Sequence, residues 1–545
     1  MMFGSKLMAA TAALLCLVGA SASAHTVQIA QGSLRGATEG GVEVFKGIPF
    51  AAPPVGLLRW KAPQAPAKWS GVRDATAYGN SCIQGPVGAS MGAESAAGYA
   101  LGDQGPFTTS EDCLYLNVRR PTGTEAGAKL PVMVWIHGGG FRVGHGSQRT
   151  YNGTGLLKRG VILVTLNYRL GALGFLAHPE LSAESSNRVS GNYGVLDAIA
   201  ALQWVKQNIA ALGGDPNNVT IFGESGGATA ASYLTGSPLT KGLFNRTIVQ
   251  SGYLFGVPNR GAGDLIPGGS KDALLVNSEQ AGTRWFKQAG VTTIAEARAL
   301  SPKKVLAATE PGPGRSPIAF GPNIDGWFMP KPSYELLRDG TYSHPVIVGS
   351  NNDEGVLMWP DPTLPVAQFR EMVRRNWGPH ADAILAAYPA DSEKQAIHAA
   401  RNLQRDSTFA WTAWTWATEQ RGAPVYVYNF DHRPPFPKLP KFDNVQASHG
   451  VELPYVFGEL YSPQMSWTQD DHVISELMIS YWTNFAKTGD PNGPGLPRWT
   501  PAGADDHQSM HFGTSTATMG EIGALQQMKA LDGVYKKVRA AGAGK

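Results

Sequence analysis

Three stretches of this chain carry residue types that could do covalent chemistry together. The first runs Val219-Thr220-Ile221-Phe222-Gly223-Glu224-Ser225-Gly226-Gly227 and continues through Ala228, Ala230 and Ala231. A β-branched and aromatic run, a glycine turn bearing a serine, and small helix-compatible residues read as strand, tight turn and helix, a nucleophile elbow. Glycines must flank such a serine, because bulky neighbours would clash where the strand and the helix cross. The turn would lift the Ser225 hydroxyl above the sheet edge. It would also set the Gly226 N–H beside a helix N-terminus, where an oxyanion is stabilised. The second stretch, Gly349-Ser350-Asn351-Asn352-Asp353-Glu354-Gly355, puts a carboxylate directly after an apolar run. The third, Ala447 to Gly458, carries His449 before a glycine in a loop. A serine nucleophile, a histidine base and an acid that orients it make acyl transfer the chemistry to look for.

Each signal alone is weak. With 66 glycines, a chance G-x-S-x-G is expected in roughly every other chain of this composition. A second copy exists at Gly88-Ala89-Ser90-Met91-Gly92, but no apolar strand precedes it and no helical pattern follows, so it reads as a loop. Support for Ser225 comes from His137-Gly138-Gly139-Gly140-Phe141. Three glycines at the end of an apolar run leave backbone N–H groups free to face a ligand, as an oxyanion hole requires. The order serine, acid, histidine is the one an α/β-hydrolase uses. The 12 histidines show no ligand spacing such as H-E-x-x-H, so neither a metal nor another cofactor is called for.

The elements that must position these residues follow in order. Val27 to Leu34 and Val42 to Phe45 read as strands of an opening antiparallel sheet. Glu111 to Pro121 returns to strand. Leu130 to Ile136 is a buried central strand running into the glycines, and Val161 to Leu166 is another. Val195, Ala198, Ile199, Leu202, Val205 and Ile209 recur at helical spacing between Asn192 and Leu212. Thr247 to Val249, Val346 to Val348 and Val425 to Phe430 continue the strand series. Strands alternating with helical patterns argue for an α/β fold, a large mostly parallel sheet flanked by helices. Phe409, Trp411, Trp414 and Trp416 read as a core helix face or, alternatively, as a pocket lining.

Residues 1–24 read as a secretory signal. Lys6 is its positive region, Leu7 to Gly19 its apolar run and Ala22-Ser23-Ala24 its cleavage site. The expectation is an exported chain, periplasmic or extracellular, with no membrane anchor after cleavage and one catalytic domain over residues 25–545. Losing Lys6 with the leader lowers the formal charge from +4 to about +3, too little to argue for nucleic acid or an anionic membrane. Cys82 and Cys113 then remain as the only cysteines. In an exported protein a disulfide between them is the preferred state. It would close a Gly-, Ala- and Ser-rich loop from Ile83 to Asp112, suited to a flexible flap.

Ordered landmarks along nearly the whole chain resemble the type-B carboxylesterase family, which includes the cholinesterases, in a bacterial-type secreted form. They are FKGIPFAAPPVGLLRW (45–60), SEDCLYLNV (110–118), HGGGF (137–141), NYRLGALGF (167–175), GNYGVLDAIAALQWV (191–205), GGDPNNVTIFGESGG (213–227), VQSG (249–252), NNDEG (351–355), SHGVELPYVFG (448–458) and WTNFAKTGDPN (482–492). The resemblance implies an α/β-hydrolase fold whose long insertions form an active-site gorge, and hydrolysis of small-molecule carboxylic esters. It makes Ser225 the nucleophile, Glu354 the acid and His449 the base. Gly139, Gly140 and Gly226 become the oxyanion donors, Ser251 and Glu224 supporting partners, and Cys82–Cys113 the family's first disulfide. Two departures stand out. Gly226 occupies a position where the family most often has alanine, and the Cys82–Cys113 loop lacks the cholinesterase tryptophan that holds a quaternary ammonium. His145, where relatives carry serine, gets no role from sequence.

Two other readings compete with this one. Ser301-x-x-Lys304, Ser350-x-Asn352 and Lys487-Thr488-Gly489 follow the order of a serine β-lactamase or penicillin-recognising esterase. That reading leaves GESGG, HGGGF and SHG unexplained. A catalytically dead adhesion module of the same fold would have lost the serine or histidine, and this chain keeps both.

Overall fold

The computed structural model describes residues 25–543, apart from 86–95, 103, 106, 256–272, 313–316, 444 and 504–505. Residues 1–24, expected to be a secretory signal, and the second G-x-S-x-G at Ser90 lie outside the described residues. Eleven strands stand side by side in the order Thr516–Glu521, Gln508–Gly513, Val425–Phe430, Val346–Asn351, Arg246–Gln250, Gly214–Glu224, Leu130–Ile136, Ile162–Leu166, Tyr115–Pro121, Val42–Pro49 and Ala37–Glu39. The run from Gln508–Gly513 to Ile162–Leu166 is parallel throughout. Antiparallel pairs close both ends of the sheet. This is the α/β sheet that the alternating pattern predicts, in the α/β-hydrolase arrangement that the resemblance implies.

Both faces of the central strands are covered, which is why they read as continuous apolar runs. Side chains alternate across a strand. Val132, Val134 and Ile136 enter one apolar cluster while Met133 and Trp135 enter the other. The chain order reverses at Leu130–Ile136, because the next strand in sequence lies on one side of it and the elbow strand on the other. A crevice for ligands opens at the carboxyl ends beside such a switch point. HGGGF, the elbow and the Glu354 turn all leave the sheet at that edge.

The structure corrects several boundaries. Val27 to Leu34 is not one strand but a hairpin, Thr26–Ile29 against Gly32–Arg35, and with Val72–Asp74 it forms a separate small sheet. Gly32 explains the break. Its φ is +151°, and any Cβ there would strike the Trp69 indole. The strand expected from Glu111 starts only at Tyr115, because Cys113 is drawn into the disulfide. The long helix runs Tyr193–Asn208, then tightens to a 3₁₀ turn, Ile209–Leu212, before Gly213 at φ +86°. Gln508–Gly513 and Thr516–Glu521 extend the sheet beyond Val425–Phe430, which sequence takes as the last clear strand. They were hidden because only Met510, Phe512 and Ala517 on them enter the core.

Cys82 and Cys113 are joined, with Cα atoms 4.9 Å apart. The described part of the loop they close carries regular structure. It contains the helix Ala96–Leu101 and pairs Ser81–Cys82 with Thr109–Ser110. Among the described residues, no helix is long and apolar enough to cross a membrane.

Candidate active site

The elbow is built as its residue types demand. Ser225 sits at φ +55° and ψ −121°, a backbone that L residues rarely adopt, between the strand Gly214–Glu224 and the helix Gly226–Gly236. Its N–H is fixed on Gln250 O at 2.9 Å. Gly223 and Gly227 allow the crossing. A Cβ on Gly223 would lie 2.5 Å from the Gly227 carbonyl carbon, and one on Gly227 would lie 2.0 Å from Ile136 O. The Ser225 hydroxyl is half-buried and makes no hydrogen bond among the described residues.

Glu354 and His449 are brought together beside it. Glu354 follows the strand Val346–Asn351 and is fully buried. Its Oε2 lies 2.5 Å from His449 Nδ1. Its Oε1 accepts from the Ser251 hydroxyl at 2.5 Å and from the Asn351 N–H at 2.9 Å. Ser251 is therefore a hydrogen-bond partner of Glu354. The loop that carries His449 is tied down twice: Asn351 Nδ2 donates to Ser448 O at 2.8 Å, and the Asp353 N–H donates to Ala447 O at 2.7 Å. Gly355, next to Glu354, is required by lack of space and not by its backbone conformation. A Cβ there would meet Arg401 O at 2.2 Å.

One contact was not foreseen. His449 Nε2 lies 3.1 Å from Glu224 Oε1, and the Ser225–His449 hydrogen bond is not closed. Burial opposes a charge on His449, but the carboxylates of Glu224 and Glu354 outweigh it and raise its pKa. Burial raises Glu224 too, with repulsion from Glu452 and Glu354 adding to it against the pull of His449. Nε2 and Oε1 lie within ion-pair distance without forming a hydrogen bond, and at this separation the charge on each group shifts the other, so the two titrate as a pair. Catalytic hydrogen bonds often tighten only once substrate is bound.

Glu452, to which the sequence reading assigns no role, lies three residues after His449. It is buried, accepts from Gln250 Nε2 at 3.1 Å and from Asn351 Nδ2 at 2.6 Å, and burial raises its pKa. The signal for both glutamates was position: one ends the elbow strand, the other opens the turn after the histidine.

The glycines after Ile136 take the conformations that only glycine adopts freely, φ +99° at Gly139 and +61° at Gly140. The N–H groups of Gly139, Gly140 and Gly226 donate to no protein acceptor among the described residues. The Gly226 departure has a steric counterpart, since a Cβ on Gly226 would stand 2.9 Å from Gly140 N. Of the aromatic segment, Phe409 reaches the site, its ring 4.9 Å from the His449 imidazole. Trp411 stacks on Tyr535 and Trp416 packs on Phe255 and Tyr342, so those two are core. The β-lactamase-like motifs are spent on structure. Ser301 caps the helix Pro302–Ala307, Ser350 lies within a strand and Lys487 sits at a helix end. Among the described residues no cluster of His, Cys, Asp or Glu could hold a metal ion.

A hydroxyl raised on a strained turn, a buried acid–imidazole pair and three free N–H groups can together carry out acyl transfer. Comparison with known proteins agrees. A model described as the carboxylesterase family matches residues 23–530. A fumonisin B1 esterase of Sphingopyxis macrogoltabida is 36% identical over 89% of this chain and 86% of its own length. A para-nitrobenzyl esterase of Bacillus subtilis is 36% identical over 85% of this chain and 89% of its own. Among solved structures, a Geobacillus stearothermophilus carboxylesterase superposes with a TM-score of 0.75 at 33% identity, covering 93% of this chain and 99% of that one.

Proposed function

The chain belongs to the carboxylesterase family and is a carboxylic ester hydrolase, and from that premise we propose that it works through a Ser225–His449–Glu354 triad. The observation that carries this reading is the buried Glu354–His449 contact at 2.5 Å, on the sheet edge where Ser225 turns out of its strand. His449 takes the Ser225 proton as the oxygen attacks the ester carbonyl. The N–H groups of Gly139, Gly140 and Gly226 hold the developing oxyanion, and His449 protonates the leaving alcohol. Water then attacks the acyl-enzyme by the same route in reverse. Before the first step His449 Nε2 must leave Glu224, whose carboxylate then remains close enough to stabilise the imidazolium. A fluorophosphonate ester tests the reading. Its adduct is expected on the peptide containing Ser225, and an adduct on another serine would overturn the assignment.

The relatives' names differ in their esters and share the linkage, so the reading stops at small carboxylic esters. One exclusion follows from the loop closed by the disulfide. Residues 83–112 contain no tryptophan, and a quaternary ammonium binds best over an indole face. The kcat/KM for acetylthiocholine is therefore expected to be no higher than for a neutral ester of similar size. A clear preference for the choline ester in matched kinetics would refute this.

We also propose that the chain is exported, a reading supported by Lys6, the apolar run and Ala22-Ser23-Ala24. The intact mass of protein recovered outside the cytoplasm should begin at His25 and lack two hydrogens for the Cys82–Cys113 bridge. In the chain-entropy account such a bridge stabilises by about 3–4 kcal/mol. Two titratable thiols in the unfolded, unreduced protein would rule out the bridge, and an uncleaved leader would rule out export by this route.

A further inference from the structure

The disulfide-closed loop grips the segment after HGGGF at three points. The Gln84 amide clasps one residue's backbone from both sides: Nε2 donates to Gly144 O at 3.0 Å, and Oε1 accepts from the Gly144 N–H at 2.8 Å. Gln104 Oε1 accepts from the Thr150 N–H at 3.3 Å and its hydroxyl at 3.2 Å. The Phe107 ring lies 4.2 Å from His145, whose Nδ1 is 2.8 Å from the Ser147 hydroxyl. His145 thus has a structural partner in each direction. Gln84 is itself anchored. Its Nε2 also donates to Cys82 O at 3.1 Å, at one end of the Cys82–Cys113 bridge.

Gly144 is where this grip meets the site. Its φ is +113°, and a Cβ there would stand 2.3 Å from His137 Nδ1 and 2.7 Å from Gly138 O. It lies directly against the backbone that leads into Gly139. The residues between them form a closed turn, in which Gly139 O accepts from the N–H groups of Arg142 and Val143. A Cβ on Gly139 would lie 2.1 Å from Val143 O. A turn with this many glycines has little stiffness of its own. Donors stabilise a transition state fully only if they are held in place beforehand.

We propose that Gln84 is a positioning residue for the oxyanion loop. Its amide, anchored beside the disulfide, fixes Gly144 and through it the N–H groups of Gly139 and Gly140. The proposal rests on the reading of those groups as oxyanion donors. It predicts a coupling that composition cannot show, in which the disulfide supports turnover as well as stability.

Gln84→Met keeps the side-chain volume and removes the two hydrogen bonds to Gly144 together with the one to Cys82 O, and Gln84→Ala removes the volume as well. Both should lower kcat per active site, counted by burst titration, by about 10- to 100-fold, below the loss of a whole donor. KM should stay within about threefold, because ground-state binding does not use the hole. Cys82→Ser with Cys113→Ser should lower kcat comparably, and adding Gln84→Met to it should lower kcat no further, as expected of residues acting through one path. A role confined to folding would lower the melting temperature and the burst amplitude but leave kcat per active site unchanged. That result in Gln84→Met overturns the proposal, as does a kcat loss that multiplies with loss of the bridge. Ser225→Ala measured alongside separates the two readings. If it is inactive while Gln84→Met turns over normally, only the clasp is wrong. If Ser225→Ala keeps full turnover, the site assignment fails and the proposal with it.

Discussion

Ser225→Ala is expected to abolish ester hydrolysis, lowering kcat by on the order of 10⁵–10⁶, while the protein folds as before. The two halves of this expectation have separate causes. The hydroxyl makes no hydrogen bond among the described residues, so its removal leaves no buried partner unsatisfied. Alanine at φ +55° is no more strained than serine. The N–H on Gln250 O and the carbonyl that receives the Thr229 N–H both belong to the backbone and survive. Stability should change by less than about 1 kcal/mol. Chemistry has no such tolerance, because no acyl-enzyme can form without the oxygen. The check is nitrophenol release from a short-chain aryl ester, with organophosphate labelling and a melting curve on the same sample. The control is Ser90→Ala, from the other G-x-S-x-G. If that variant lost activity while Ser225→Ala kept it, the choice between the two turns would be reversed.

The contrast between those two serines shows what a sequence makes legible. The elbow is a local device. A strand, a turn and a helix write their own signals, and the glycines at 223 and 227 are dictated by atoms within the motif and by the neighbouring strand. HGGGF is legible for the same reason. The central strands are legible because burial on both faces forces an unbroken apolar run. Contacts between distant segments are not. Glu224 is adjacent to Ser225 in sequence, but only the fold of the 447–458 loop brings His449 Nε2 to its carboxylate. Gln84 lies 60 residues from Gly144, in a stretch whose composition suggested a free flap. The strands Gln508–Gly513 and Thr516–Glu521, the last two at one end of the sheet, escape a sequence reading because few of their side chains are apolar and buried. Phe409 and Trp411, two residues apart, look alike in sequence, yet one faces the imidazole and the other a C-terminal tyrosine.

Between the adjacent carboxylates Asp353 and Glu354, Glu354→Gln is expected to lower kcat by up to about 10⁴ with little loss of fold, and the contacts of Glu354 say why. Its Oε1 receives two donors, the Ser251 hydroxyl and the Asn351 N–H. In a glutamine the amide oxygen must occupy that place, since an NH₂ there would face two donors. The NH₂ then faces His449 Nδ1. A donor at that point makes Nδ1 an acceptor and moves the imidazole proton to Nε2. The Glu224 carboxylate, 3.1 Å from Nε2, favours the proton there electrostatically. In that tautomer Nε2 has no lone pair for the Ser225 proton. The variant thus keeps its packing and loses its base. Asp353 does a different job. It is half-buried, and its Oδ2 accepts from the Gln446 N–H at 2.9 Å, steadying the loop that leads to His449. Asparagine can offer an oxygen to the same N–H, so Asp353→Asn should cost about 1 kcal/mol of stability and leave kcat within a few-fold. Matched kinetics and melting curves on the two variants decide the assignment. A large kcat loss in Asp353→Asn with near-normal turnover in Glu354→Gln would transfer the acid's role to Asp353.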